Sequence, residues 1–180
     1  MLTPTLNLAT VDATGVYDYL YGFFQRDFVR QRTMLNGTIY IDPRSRNLED
    51  GKEKDFWHLT TRTNKYFVKQ GNRHVPVEER LLDYARAERI EWVRQIITNH
   101  VHAKIKIFYH QESNPRRDIR LYLWAFEDDF VVILQKLGRS TSFLVTSFYI
   151  DQPDKRTDYD KRYRNYVTGA NSVVTGCEWF

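Results

Sequence analysis

Residues 105–151 read IKIFYHQESNPRRDIRLYLWAFEDDFVVILQKLGRSTSFLVTSFYID. Four runs in this stretch, 105–110, 119–126, 130–137 and 143–150, are rich in β-branched and aromatic residues and are bounded by turn chemistry. Helical patterns precede the block and one short basic helix follows it. The order predicts an α+β fold, with helices packed on a four-stranded antiparallel β-meander.

Working outward, residues 15–32 place Tyr17, Leu20, Tyr21, Phe24 and Phe28 at helical spacing. Asn36-Gly37 signals a turn, 38–41 a short strand, and the polar residues 42–54 a surface loop. Residues 1–55 then form an N-terminal extension of helix and loop, and 56–180 the main domain. Phe56-Trp57-His58-Leu59-Thr60-Thr61-Arg62 looks extended. A long helix is expected from Val77 or Glu78 to Thr98, with Leu82, Ala85, Trp92, Val93, Ile96 and Ile97 on one broad face and Arg89 inside that stripe. A final helix over 158–167 aligns Tyr159, Tyr163 and Tyr166, with Lys161, Arg162 and Arg164 on its other sides.

Composition bounds the partners. The 180 residues carry a formal charge of +4 with twelve Tyr, eleven Phe and four Trp, a balance that favours an anionic partner. The single cysteine, Cys177, forms no internal disulfide and no Cys-rich zinc site. No apolar run reaches the length of a membrane span, and Met1-Leu2-Thr3-Pro4 lacks the regions of a signal peptide, so the expectation is a cytoplasmic protein without a membrane partner.

Three constellations carry chemistry. Strand alternation over 119–126 sends Arg120, Tyr122, Trp124 and Phe126 to one face. That face is either a stacking platform for single-stranded RNA, with Arg120 on phosphate, or a second hydrophobic layer covered by residues 1–60. In an extended segment, His58, Thr60 and Arg62 share a side, which puts an imidazole, a hydroxyl and a guanidinium together against a phosphodiester. Arg86 and Arg89 come next; ion pairing with Asp83, Glu88 or Glu91 accounts for Arg86 more readily than for Arg89. His100, His102 and His110 lack the partners that complete a recognised metal site, so no metal or other cofactor is assigned. The sequence has no P-loop, dinucleotide-binding glycine pattern or nucleophile elbow.

The helix residues Arg86-Ala87-Glu88-Arg89-Ile90-Glu91-Trp92-Val93-Arg94-Gln95-Ile96-Ile97, followed by 121–124, Val131-Val132-Ile133-Leu134 and Leu144-Val145-Thr146-Ser147-Phe148-Tyr149, form a progression. It resembles the phage- and bacteria-associated branch of the barnase–EndoU–colicin–RelE-like nucleases, over roughly residues 56–167. The resemblance implies metal-independent RNA cleavage, often as a toxin or antiphage effector, and therefore a protein antitoxin or immunity partner. It carries over His58, Thr146, Tyr149 and, more loosely, Lys136. No histidine follows the sheet and no glutamate sits mid-strand, so a barnase-type Glu/His pair is not carried over.

The expected activity is an endoribonuclease in which the RNA 2′-hydroxyl attacks phosphorus, with tRNA among the candidate substrates. His58 serves as base or acid; Arg62, Arg89, Arg120 and Lys136 stabilise charge; Thr146 and Tyr149 position phosphate oxygens. On a regular strand Thr146 and Tyr149 point to opposite faces unless a bulge intervenes, so only one of them touches the phosphate, and Thr146 is the preferred one. Thr60, Arg86, Tyr122, Trp124, Lys161, Arg162 and Arg164 are the expected RNA contacts. The alternative is a non-catalytic nucleic-acid-binding or structural subunit of a phage or defence assembly.

Overall fold

The first helix follows the apolar spacing of its sequence: α1 (Val16–Phe24) buries Val16, Leu20 and Phe24 and continues into a π-helical stretch, Gln25–Arg30, that buries Phe28. The structure is a computed structural model and describes residues 2–44, 46–170 and 172–180. Strands β1 (Met34–Leu35) and β2 (Ile39–Asp42) turn at Asn36-Gly37, whose φ values of 50° and 66° make the mirror-image turn that matches strand twist. β3 (Leu48–Glu49) and β4 (Lys52–Glu53) form a small hairpin leading into α2 (Lys54–Thr60). β5 (Thr61–Gln70) and β6 (Arg73–Leu82) pair along their whole length as a separate ribbon. Then come α3 (Tyr84–Ala87), α4 (Ile90–Thr98), β7 (Ile105–Gln111), β8 (Ile119–Ala125), β9 (Phe130–Lys136), β10 (Thr141–Tyr149) and α5 (Pro153–Val167).

The expected four-stranded antiparallel meander is corrected by the sheet itself. β7 to β10 pair antiparallel as neighbours, but β2 joins β10 in parallel and β1 joins β2. The result is a six-stranded mixed sheet, in the order β1-β2-β10-β9-β8-β7, curled into a half-barrel. The N-terminal segment expected as a helical extension thus supplies two strands of this sheet. The unpaired side of β10 is the reason: a central strand exposes a row of backbone donors and acceptors until another strand covers it.

Two local expectations also change. Residues 54–60 are helical, because Phe56, Leu59 and Thr60 fall on one side at i, i+3 and i+4 and all are buried. The strand-forming character of Phe and Trp yields to that burial. The helix expected from Val77 to Thr98 begins only at Tyr84: residues 73–82 are a strand paired to 61–70 across a two-residue turn at Gly71-Asn72. Gly71 has φ of 61°, and this Gly-Asn turn is itself a hairpin signal. The segment 42–54 is held down: Arg44 donates through Nε to Asp55 Oδ1 at 2.6 Å, its guanidinium lies 4.6 Å over the Phe143 ring, and Trp57 Nε1 donates to Glu49 O at 2.7 Å.

Both faces of the sheet are covered. Phe56, Ile90, Val93, Ile96 and Ile97 pack with Leu121, Leu123, Val132 and Leu134 on one side. On the other, Phe108, Tyr122, Trp124 and Ile133 lie beneath α5, which contributes Tyr159 and Tyr163. Lys106 pins the helix: its Nζ meets Asp160 Oδ1 at 2.9 Å and sits 4.8 Å from the rings of Trp124, Phe126 and Tyr163. Tyr122 and Trp124 are 2 % and 1 % exposed, so the expected RNA-stacking platform is a second hydrophobic layer, covered by α5 and not by residues 1–60. Trp124→Ala is expected to lower stability by about 3–5 kcal/mol in denaturant unfolding, the cost of emptying a buried aromatic site.

Asp55 is wholly buried, and burial pushes its carboxyl up to about 7 against the opposing pull of Arg44. Between its unfolded value near 3.8 and that folded value the native state holds a proton that the unfolded chain has released. The contribution of Asp55 to stability therefore falls as pH rises through this window. Melting curves from pH 5 to pH 7 are expected to show wild type losing ground steadily relative to Asp55→Asn.

Candidate active site

Two depressions meet where α2 passes into β5. The larger, about 610 Å³, lies between the start of β5 (Arg62), the turn into α3 (Asp83, Ala85, Arg86), the end of β10 (Phe148, Tyr149) and the first turns of α5 (Lys155, Asp158, Tyr159, Arg162). The smaller, about 330 Å³, holds Glu49, Lys54, Trp57, His58, Thr63 and Arg80, and shares Arg62 and Arg86 with the larger. Together they form one cleft, with Arg62 and Arg86 at the junction.

Helical geometry aims His58 into this cleft. Its neighbours Trp57 and Leu59 are buried, which fixes α2 and leaves the His58 side exposed. The α5 residues Lys155, Asp158, Tyr159 and Arg162 occupy one helix face at i, i+3, i+4 and i+7. Arg86 is a clamp beneath the junction. It donates through Nη1 to the carbonyls of His58 and Thr61 at 3.2 and 3.4 Å, and its Nε lies 3.2 Å from Asp83 Oδ2. Burial lowers its pKa from the usual guanidinium value, with Asp83 opposing; the side chain stays cationic.

Most cations of the lining are already engaged. Arg80 pairs with Glu49 at 2.5 Å and stacks 4.7 Å over Trp57; Lys54 lies 3.7 Å from Glu49. Lys155 reaches Asp151 at 3.4 Å, and Arg162 reaches Asp158 at 2.7 Å. Among the described residues, the Arg62 guanidinium has no ion pair or hydrogen bond, and neither does the His58 imidazole. Partial loss of hydration, with the charges of Arg44, Lys54 and Arg80, pushes His58 below its ordinary pKa, opposed by Glu49. The ring is therefore neutral at pH 7 and able to accept a proton.

The expected site residues divide accordingly. His58, Arg62, Arg86, Tyr149 and Arg162 line the cleft. Arg89 stands behind Tyr149, its guanidinium 4.7 Å from that ring and 5.0 Å from Trp92, and it donates to Ala85 O at 2.9 Å. Thr60 is buried and donates to Phe56 O, which removes it from the shared face expected with His58 and Arg62. Arg120 and Lys136 lie toward the far end of the sheet: Lys136 pairs with Ser142 while Tyr149 pairs with Phe130, about 20 Å away along the strand. Arg120 bonds Gln135 at 3.2 Å.

A bulge does interrupt β10, at Val145 between the pairs Leu144–Leu134 and Thr146–Ile133. It precedes Thr146, so Thr146 and Tyr149 still face opposite sides, Thr146 with Phe148 toward α5. Lys161 and Arg164 project to solvent off the cleft face of α5, with Arg164 held 2.6 Å from Asp160. His100 is structural, its Nδ1 3.1 Å from Ile97 O.

Lys54, Arg80 and Lys155 escaped the sequence reading. Arg80 sat in a segment read as helix, and a Gly-Asn hairpin reading would have set it opposite Thr63, at the cleft. No known protein family, curated protein or solved structure matches this chain. No helix among the described residues is long and apolar enough to cross a membrane.

The roles of the two junction arginines are separable by unfolding. Arg86→Ala should cost about 1–3 kcal/mol, because two carbonyls and a carboxylate lose their partner. Arg62→Ala should change stability by no more than about 0.5 kcal/mol, as expected of an unpaired surface side chain.

Proposed function

We propose that the chain is a metal-independent endoribonuclease whose active site is the cleft around His58 and Arg62. The observation that carries this reading is that an unengaged neutral imidazole and an unengaged guanidinium line one cleft whose other cations are engaged. A phosphodiester fits that vacancy: Arg62 faces the phosphate oxygens, and Arg86 adds a fixed positive charge beneath them.

RNA carries its own nucleophile. His58 accepts the 2′-hydroxyl proton, the oxygen attacks the adjacent phosphorus, and the 5′-oxygen leaves with a proton. Arg62 stabilises the charge gathered on the phosphorus oxygens, and Tyr149, at the cleft wall, is the candidate donor to the leaving oxygen. Arg89 holds the Tyr149 ring in place through its stacking contact. The resemblance to barnase–EndoU–colicin–RelE-like nucleases supports the same activity through His58 and Tyr149, and with it a toxin or antiphage role opposed by a protein inhibitor.

Incubation with total RNA and tRNA in EDTA, resolved on a denaturing gel, tests this directly. Wild type should yield discrete fragments. His58→Ala should remain folded and cleave about two to four orders of magnitude more slowly, the usual contribution of one acid–base group. The kcat/KM profile should fall on the acid side at a pH below 6.5, where His58 takes up its proton and stops acting as base. Full activity in His58→Ala would remove the histidine from the mechanism, and intact RNA with wild type would sink the nuclease reading.

A further inference from the structure

The β5–β6 ribbon is not needed to cover the sheet, and its two strands pair only with each other. Ten residues of strand extend about 33 Å, and beyond Thr61 every residue of β5 is exposed. Its distal half displays Tyr66, Phe67 and Val68, and Phe67 is 71 % exposed, more than any other aromatic residue described.

Register sorts these side chains. Tyr66 faces Val77 and Val68 faces Val75 on one side, cross-strand pairs of the kind that hold a ribbon together. On the other side lie Lys65, Phe67 and Lys69, opposite Glu78, Pro76 and His74. Lys65 is paired with Glu78 at 2.5 Å. Lys69, and Arg73 at the turn, have no ion pair among the described residues. Residues 64–77 contain Lys65, Lys69 and Arg73 and no acidic residue.

We propose that this ribbon is an RNA-binding arm beside the cleft: Phe67 stacks an unpaired base, and Lys69 and Arg73 hold phosphates. The inference rests on the nuclease reading for the identity of the nucleic acid. The strand itself links arm and cleft: Arg62 near its start shares a face with Tyr66, Val68 and, across from Gln70, Arg73, while Phe67 and Lys69 lie on the other face, so RNA held by both wraps the ribbon's edge. The charge argues against an apolar protein partner, and Pro76, lacking an N–H, weakens β6 as an edge for strand addition. An exposed aromatic flanked by lysines suits a base and its phosphates.

The test is fluorescence anisotropy with labelled tRNA and a labelled 20-nucleotide single strand, in the His58→Ala background so that the RNA survives. Phe67→Ala should weaken binding to the single strand roughly 5- to 100-fold, the range of one base–aromatic stack. Lys69→Glu/Arg73→Glu should weaken it further and flatten the dependence of log K on log salt by about 1.4 or more, two phosphate contacts' worth. Arg116→Glu/Arg139→Glu, an equal change in net charge away from arm and cleft, should have much the smaller effect. Arm variants that bind both RNAs as their parent does would overturn the arm and leave the nuclease reading standing. Absence of RNA binding in the parent, together with absence of cleavage by wild type, would remove both. Self-association of wild type that persists in high salt and vanishes in Phe67→Ala would make the tip a protein interface and overturn the proposal.

Discussion

Strands β7 to β10 are apolar on both faces, and the need to cover both governs the rest of the molecule. One face takes the helices α1, α2 and α4. The other presents Phe108, Tyr122 and Trp124, which no earlier element covers, so the chain must send α5 back across it. A helix as polar as α5 does this with Tyr159 and Tyr163 and with the Lys106–Asp160 pair set among aromatic rings. Lys106 explains how a cation tolerates that layer: its charge is met by Asp160 and by the faces of three rings.

Docking α5 also creates the cleft. Once Tyr159 lies on the sheet, Lys155, Asp158 and Arg162 follow at the end of β10, facing Arg62 and Arg86. The second wall depends on a different constraint, the buried Asp55 held by Arg44. That pair ties the β3–β4 hairpin and the start of α2 to β10, and so fixes where His58 stands. Stability and site geometry are linked here: the same burial that raises the Asp55 carboxyl seats the helix that carries the histidine.

The Arg-rich junction divides structural from available charge. Arg86 spends its guanidinium on backbone carbonyls and Asp83, Arg89 on Ala85 and two aromatic rings, and Arg80 on Glu49 and Trp57. Each was readable in the sequence as a cation, yet only the folded partners separate it from Arg62. The sequence points to His58 through a face shared with Thr60 and Arg62 on an extended segment; His58 does open into the cleft, but by a different geometry. A helix, and not the expected strand, buries Phe56, Leu59 and Thr60 and leaves His58 outward.

The sequence alone determined the four meander strands, the first helix, the Asn36-Gly37 turn and the tyrosine face of the last helix. Each is written in a local period or a turn-forming dipeptide, and neighbours in the chain enforce it. Tertiary structure alone decided that β2 runs parallel to β10, some hundred residues away, because a four-residue strand carries no mark of its partner. The strand over 73–82 lies between the two: Gly71-Asn72 signals the hairpin in the sequence, but Glu78-Glu79-Arg80-Leu81-Leu82 suits a helix until 61–65 lies opposite. And tertiary structure decided which basic side chains remain free, because availability is a property of what packs nearby and not of the residue.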